Sequence, residues 1–193
     1  MARLESTMVP LETAAHDFSL DGVDSKTYSL NSFIEKEIIV IIFMCNHCPY
    51  VKAVLKRLIN LQNEFIDHGV QFVGINPNDA ARYPDDSLEN MKVIAKENGF
   101  SFPYLIDPSQ ETAKLYNAVC TPDLYVYGKD RKLAYRGRID DNWEYPKKVT
   151  QHDLKLALEA MLDKKPVPHK QIPSMGCSIK WKTPGCSIKW KTP

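Results

Sequence analysis

The chain has 193 residues, of which 44% are hydrophobic and 25% are charged, and this composition suits one globular domain that buries a core without disulfide staples. The first residues lack the apolar region of a secretory signal, and no segment approaches the ~20 apolar residues that span a bilayer, so we expect a cytoplasmic protein. The net charge of +1 hides an acidic body, because seven Lys and no Asp or Glu follow Asp163.

The first elements along the chain are a hairpin, a buried strand and a helix. The stretch DFSLDGVDSKTYSLNSF, with a turn near Gly22, is typical of a short hairpin. The β-branched run EIIVIIFM then predicts a strand that is buried on both faces. From Pro49 to Gly69 the apolar residues recur at helical spacing, so Cys45 and Cys48 fall at a strand-to-helix junction.

The second half alternates strands with helices. VQFVGIN predicts a strand, PNDAARYPDD a polar loop, Ser87 to Asn98 a helix, FPYLID a short strand, and SQETAKLYNAV a short helix capped by Ser109. CTPDLYVYGKDRKLAYRGRID predicts two strands around a turn, and QHDLKLALEAMLDK a closing helix. These elements indicate an α/β fold with a central mixed sheet flanked by helices and an N-terminal hairpin extension.

The basic C-terminal segment contains an identical repeat. GCSIKWKTP occurs at Gly176–Pro184 and again at Gly185–Pro193. Two nine-residue copies are too few for a solenoid, so we predict a lead over 1–14, a domain over 15–163 and a flexible basic tail over 164–193. Two Trp-Lys repeats are weak evidence for contact with nucleic acid or membrane, and neither is expected as a partner.

Cys45 and Cys48 are the predicted catalytic residues. A cysteine at the N-terminal end of a helix meets the positive end of the helix dipole and unpaired amides, which favour the thiolate. We therefore predict Cys45 as the nucleophile and Cys48, one turn along, as the resolving thiol. Asn46, His47 and Pro49 are expected to modulate the pair. A protonated His47 would lower the pKa of Cys45; the alternative is a His47 that only faces solvent.

Together with VCTPDLYVY downstream, the order of elements resembles the thioredoxin fold, specifically the redoxin branch that includes alkyl hydroperoxide reductase and thiol-specific antioxidant proteins. The resemblance covers Ala15 to Asp163, and it is closer still to bacterial redoxin-domain proteins that carry CNHCPYV, a long NPNDAARYPDDS loop and a GCSIKWK terminus. It implies a cis peptide bond between Thr121 and Pro122 that faces the cysteines. It also implies that the Thr121 backbone hydrogen-bonds an extended substrate. The alternative is an ordinary trans Pro122 at the start of a strand.

Three positions depart from the pattern that this resemblance implies. Thioredoxins usually carry Trp before the first cysteine, where this chain has Met44, and a buried carboxylate where it has Ile39. Peroxiredoxins place Thr where this chain has Ile42. Ile39 leaves the resolving thiol without its usual proton acceptor, and Ile42 weakens the interpretation as a conventional peroxidase.

Three further cysteines are candidates for additional redox thiols: Cys120, Cys177 and Cys186. Cys120 lies near the predicted site and also fits the role of a small buried hydrophobe, which is the commoner state of a free cysteine. Cys177 and Cys186 are expected to be exposed in the tail, and a disulfide from the tail to Cys45 or Cys120 is a further hypothesis.

The predicted function is a cytosolic thiol-disulfide oxidoreductase that uses the Cys45/Cys48 dithiol. The alternatives are a thiol-dependent peroxidase of peroxiredoxin type and a non-enzymatic redox-sensing or metal-binding module. No NAD, flavin or phosphate-binding signature and no second Cys or His pair at zinc spacing appears, so neither cofactor nor metal is expected. The expected partners are protein or small-molecule thiols and disulfides, alternatively peroxides, with an electron donor such as thioredoxin or glutathione.

Overall fold

A computed structural model describes residues 3–183 of the chain. Its strands and helices, in chain order, are β1 (Arg3–Glu5), β2 (Ser19–Gly22), β3 (Thr27–Ser29), β4 (Ile38–Phe43), α1 (Pro49–Phe65), β5 (Val70–Asn76), α2 (Leu88–Asn98), β6 (Tyr104–Ile106), α3 (Glu111–Leu115), β7 (Cys120–Thr121), β8 (Asp123–Tyr127), β9 (Leu133–Arg136), α4 (Asp153–Leu162) and β10 (Met175–Ser178). None of the helices in this part of the chain is long and apolar enough to cross a membrane.

The main sheet has seven strands in the order β3-β2-β6-β5-β4-β8-β9. β4 pairs parallel with β5, and β5 parallel with β6, whereas β2–β3 and β8–β9 are antiparallel hairpins. The two hairpins and the mixed character of the sheet are therefore confirmed. Because β4 lies between β5 and β8, it is an interior strand, and the residues that follow its carboxyl end lie near the middle of the sheet and not at an edge strand.

Alternate residues of β4 point into two different cores, as the period of two along a strand requires. Ile38, Val40 and Ile42 pack with apolar residues of α1, α2 and α4 on one face. Ile39, Ile41 and Phe43 pack on the other face with residues of α3 and the N-terminal hairpin. All six side chains are buried, so the prediction of a strand covered on both sides is confirmed.

The helix start signals were predicted well at one helix and less well at another. Ser87 caps α2, where its Oγ accepts the Asn90 N–H at 3.3 Å, as predicted. At α3 the cap is Gln110, in a left-handed conformation with φ of 66°, and not Ser109. The Ser109 hydroxyl still accepts the Glu111 N–H at 3.2 Å, so it supports the same turn from one residue further out.

The C-terminal segment differs from the expectation of a flexible tail, because part of it is a strand. β10 lies between β1 and β7 in a second sheet of order β1-β10-β7. Cys177 is 3% exposed and Ile179 is equally buried, so the expectation of an exposed Cys177 is wrong. Cys186, in the second copy of the repeat, lies outside the described residues. The domain boundaries remain a prediction.

Candidate active site

The two cysteines lie between the end of β4 and the start of α1. Cys45 is 1% exposed and Cys48 is fully buried. Pro49 is at the first turn of α1, as predicted, but the N-cap residue is Cys48. The assumption that the helix start serves Cys45 better than Cys48 is therefore wrong, because Cys45 precedes the cap by three residues.

Thr121 and Pro122 face the cysteine pair. The bond between them is cis, which confirms the expectation drawn from the resemblance. The Cys45 Sγ lies 3.3 Å from the Thr121 Oγ1, and the Cys48 Sγ lies 3.1 Å from the Thr121 carbonyl oxygen. One residue beside the cis bond thus touches both sulfurs.

The surroundings separate the two thiols electrostatically. A hydrogen bond from the Cys45 thiol lowers the pKa of Cys48, and the Val51 amide in the first turn of α1 lowers it further against the effect of burial. The same hydrogen bond, burial and the charge of Asp86 raise the pKa of Cys45. The Thr121 carbonyl accepts from the Cys48 thiol and so favours its protonated form. The groups that favour the Cys48 thiolate are more numerous, and its pKa is lowered on balance. These effects favour the thiolate at Cys48 over the thiolate at Cys45; which of the two thiols is the nucleophile remains a prediction.

One side of the dithiol, which we call the loop flank, consists of Asn46, His47 and Asp86. Asp86 is fully buried and accepts the Asn46 N–H at 2.7 Å. It also accepts the Asn78 side-chain amide at 2.8 Å. The Asn46 amide donates to the Asp85 carbonyl at 2.7 Å and its oxygen accepts the Tyr104 hydroxyl at 2.9 Å. These bonds fix Asn46, the residue that follows Cys45.

His47 belongs to the same flank and does not simply face solvent. Its ring stacks on Tyr83 at a centroid distance of 5.4 Å, and its Nδ1 lies 2.7 Å from the Asp86 carboxylate. Sulfur, nitrogen and oxygen donors of Cys45, His47 and Asp86 lie within 4.8 Å of one another, so within residues 3–183 these three side chains form the group that could hold a metal ion.

The other side of the dithiol, which we call the strand flank, consists of Thr121, Gly176 and Cys177. β10 runs antiparallel to β7, with Cys177 opposite Thr121 and Ser178 opposite Cys120. The backbone edge that was expected to bind an extended substrate is therefore occupied by the chain itself. Cys120 is fully buried, and burial raises its pKa, which favours its interpretation as a small apolar residue.

A cavity of about 210 Å³ reaches the dithiol from the side of α1 and α2. Cys45 lines it together with apolar side chains of these two helices. Cys45 is thus the sulfur that a small molecule meets first from this direction, whereas Cys48 faces the strand flank.

The positions that departed from the pattern are buried hydrophobes: Met44, Ile39 and Ile42. A buried carboxylate still lies close to Cys45, but it is Asp86, which comes from the polar loop before α2 and not from position 39. Sequence reasoning missed this residue. The loop PNDAARYPDDS contains four aspartates or asparagines that could in principle turn inward, and no spacing in the sequence singles out Asp86.

Comparison with known proteins agrees with this geometry. The model of the AhpC/TSA family matches residues 11–136. The chain belongs to the AhpC/TSA family. An uncharacterized conserved protein from Geobacillus kaustophilus is 48% identical, with a TM-score of 0.89 over 94% of this chain and 97% of that chain. A hypothetical protein from Sinorhizobium meliloti is 37% identical, with a TM-score of 0.89 over 93% and 99%.

More distant structures show the fold. The thioredoxin domain of a thiol-disulfide oxidoreductase from Bacteroides vulgatus is 17% identical, with a TM-score of 0.58 over 67% of this chain and 89% of that chain. The predicted thioredoxin-like fold is thereby confirmed. Membership of the AhpC/TSA family indicates an oxidoreductase in general, one that acts on thiols and disulfides or on peroxides.

Proposed function

We propose that this AhpC/TSA member is a thiol-disulfide oxidoreductase whose redox centre is the Cys45/Cys48 dithiol. The observation that carries the proposal is the contact of both sulfurs with Thr121 beside a cis proline, at 3.3 Å and 3.1 Å. Two thiols differ from an intramolecular disulfide by two protons and two electrons. The pair can therefore exchange electrons with a substrate disulfide without a cofactor.

Cys48 is the proposed nucleophile, in place of the order expected from the sequence. Its thiolate attacks one sulfur of a substrate disulfide; the substrate S–S bond breaks, a mixed disulfide forms, and the departing thiolate takes up a proton. Cys45 then loses its proton and attacks the Cys48 sulfur. This step releases the second substrate thiol, reduces the substrate by two electrons and leaves a Cys45–Cys48 disulfide.

The loop flank is the proposed acceptor for the Cys45 proton. Donor atoms of His47 and Asp86 lie within 4.8 Å of the Cys45 sulfur and 2.7 Å of each other. Such a pair can take up a proton at the moment Cys45 attacks and return it when the disulfide is reduced again. Thioredoxin or glutathione is the proposed electron donor. We place the protein in the cytoplasm, where cysteines are kept reduced.

A peroxidase is the second candidate, and the cavity of about 210 Å³ beside Cys45 is the observation that favours it. A hydroperoxide entering there would meet Cys45 and oxidise it to a sulfenic acid. The Cys48 thiol would then condense with this sulfenic acid to form a disulfide and water. Against this candidate stands the raised pKa of Cys45, since the thiolate is the form that peroxides oxidise.

A redox titration tests the proposal. The full chain is equilibrated with a glutathione series, quenched with acid, alkylated and mapped by peptide mass. A Cys45–Cys48 disulfide with a potential between about −270 and −120 mV, together with insulin disulfide reduction, is the expected result. Peroxide consumption without insulin reduction would favour the peroxidase. Retained stoichiometric zinc with neither activity would favour the metal-binding module.

A further inference from the structure

The C-terminal strand β10 occupies the edge of β7 on which an extended substrate was expected. Cys177 is the register partner of Thr121, and Ser178 that of Cys120. β1 pairs with the other edge of β10, so the strand is held on both sides. A segment of this chain thus lies, in extended antiparallel form, directly against the residue that touches both sulfurs.

Gly176 shows how closely this strand packs. A Cβ atom at this position would lie 2.0 Å from the Thr121 carbonyl oxygen and 3.0 Å from the Pro122 nitrogen. Both atoms belong to the backbone beside the cis bond, so no side-chain rotation can relieve the overlap. The strand therefore requires glycine here in order to reach its position against Thr121.

The residues after β10 are anchored individually. The Ile179 N–H donates to the Val119 carbonyl at 3.0 Å, and the Lys180 N–H donates to the Asn78 side-chain oxygen at 2.8 Å. The Asp79 N–H donates in turn to the Lys180 carbonyl at 2.9 Å. Asn78 also donates to Asp86, so the docked segment is linked to the loop flank through one asparagine.

This docking places a third sulfur beside the dithiol. Cys177 is 3% exposed and packs in the same apolar cluster as Cys45 and Cys48. The Cys48 sulfur lies 3.1 Å from the carbonyl of Thr121, the residue opposite Cys177. Burial and the neighbouring Cys48 thiol raise the pKa of Cys177.

We propose that Cys177 is a third redox thiol that forms a disulfide with Cys48, and that β10 takes the place of an extended substrate on Thr121. This inference rests on the proposed role of Cys48 and deepens it. The Cys48 thiolate attacks a low-molecular-weight disulfide and releases one thiol. Cys177 then attacks the Cys48 sulfur of the mixed disulfide, and its proton goes to the second departing thiol. The external disulfide gains two electrons, and the chain gains a Cys48–Cys177 bond.

Cys48 thus has two partners on opposite sides. Cys45 approaches it from the loop flank and Cys177 from the strand flank. A Cys48–Cys177 disulfide fixes β10 on the Thr121 edge, whereas a Cys45–Cys48 disulfide leaves the strand held only by noncovalent contacts. A polypeptide substrate has to displace β10, and it can do so only while Cys48 and Cys177 are not joined by a disulfide, as in the fully reduced state that attacks a substrate disulfide.

Mass mapping after oxidation tests this inference, and the duplicated nonapeptide supplies its internal control. The full reduced chain and its Cys45→Ser variant are treated with oxidised glutathione, blocked with N-ethylmaleimide in acid and digested with trypsin. Cleavage after Lys or Arg separates Glu37–Lys52, which contains both Cys45 and Cys48, from Gln171–Lys180 with Cys177 and Thr183–Lys189 with Cys186.

In Cys45→Ser we expect the link from Cys48 to Cys177 to exceed the link to Cys186 at least tenfold. The two copies have the same local sequence, so equal linking would mean that proximity in the fold plays no part and would overturn the inference. If the unaltered chain forms the Cys45–Cys48 bond but Cys45→Ser does not form the Cys48–Cys177 bond, the proposed function stands and the inference is rejected. If Cys45→Ser forms the Cys48–Cys177 bond but the unaltered chain does not form the Cys45–Cys48 bond, only the proposed function is rejected.

A glycine pair gives an independent test. Gly176→Ala introduces the clash with Thr121, and Gly185→Ala is the matched change in the second copy of the repeat. We expect Gly176→Ala to reduce Cys48–Cys177 linking at least tenfold and to accelerate the reduction of insulin several-fold, because the Thr121 edge becomes free. Gly185→Ala is expected to behave like the unaltered chain. Unchanged linking in Gly176→Ala would contradict the proposed docking.

Discussion

The strand flank and the loop flank hold the dithiol by different means. On the strand flank, the contact of Thr121 with Cys48 and the close packing of Gly176 involve backbone atoms, so they depend on shape. On the loop flank, Asp86 and His47 act through charged or titratable side chains. From this difference we expect one flank to decide which sulfur can reach Cys48 and the other to set the electrostatic environment of Cys45.

The two flanks also differ in what supports them. Behind the strand flank, Asp123 follows Pro122 directly and pairs with Arg136 at 3.1 Å, and both side chains are fully buried. The loop flank is supported by hydrogen bonds from asparagine and tyrosine side chains to neutral or acidic groups. Removing either partner of the buried ion pair leaves an unpaired charge in the core, which strongly destabilises the fold. Removing one partner in the loop flank costs only the hydrogen bonds which that side chain makes.

The largest expected effect separates the two sulfurs. Cys48→Ser removes the thiolate that the helix start stabilises, so insulin reduction should fall at least about 10³-fold. The double variant Cys45→Ser/Cys177→Ser keeps that thiolate but lacks both thiols proposed to resolve it, so it should accumulate mixed disulfides with glutathione, visible as an added mass on Cys48. If Cys45→Ser loses all reactivity while Cys48→Ser traps the mixed disulfide, the nucleophile is Cys45.

Removing the buried cation behind the strand flank is the next largest change. Arg136→Met leaves Asp123 buried without its partner, and we expect the free energy of unfolding to fall by about 3–5 kcal/mol in urea titrations. Lys165→Met is the control, because its ion pair with Asp163 is exposed and exposed pairs contribute little. A loss of equal size in both variants would show that burial is not the cause.

The same variant carries a pH dependence with a definite sign. Burial raises the pKa of Asp123 to about 7 even beside Arg136. Without Arg136 it should rise further, so the folded state retains a proton that the unfolded chain loses near pH ~3.9. The folded unaltered chain keeps the same proton up to about pH 7, so the two chains should lose stability in parallel up to that pH. Above it only the variant still holds the proton, so the variant should lose stability relative to the unaltered chain as the pH rises from about 7 through its own folded pKa. A deficit that does not change with pH would contradict this assignment.

On the loop flank the expected effect is smaller. Asp86→Asn keeps the size of the side chain but removes an acceptor for the Asn46 and Asn78 donors, which should cost about 1–3 kcal/mol of unfolding free energy. Because the Asp86 charge raises the pKa of Cys45, the variant should alkylate Cys45 at lower pH. Asp85→Asn is the control, since Asp85 is exposed and one residue away. Identical alkylation profiles in both variants would remove Asp86 from the proton path.

The smallest change compares the two thiols without a mutation. The lowered pKa of Cys48 means that its thiolate persists as the pH falls, so iodoacetamide should label it with a midpoint below the ~8.5 of an ordinary cysteine. Cys45 should label only at higher pH. Fragmentation of the tryptic peptide Glu37–Lys52 distinguishes the two positions. The reverse order of labelling would contradict the hydrogen bond from Cys45 to Cys48.

Much of the fold could be predicted from periodicity along the chain. EIIVIIFM is apolar at every position, and such a run becomes a strand covered on both faces. The Cys-Xaa-Xaa-Cys pair before Pro49 located the active-site candidate, and the resemblance supplied the cis bond at Pro122. The start of α1 at Pro49 was predicted correctly. What was misjudged is the reach of the helix amides, which act over a single turn and therefore serve Cys48, the N-cap residue, better than Cys45.

The sequence by itself determined the α/β class, the order of the elements and the position of the dithiol, since these depend on local periodicity and on one short motif. Only the tertiary structure decided which carboxylate reaches Cys45, because Asp86 is one of several acidic residues in a loop without a regular pattern. It alone decided the place of Cys177 as well. Strand pairing joins residues that are far apart in the chain, and the composition of a short basic segment does not reveal its partner.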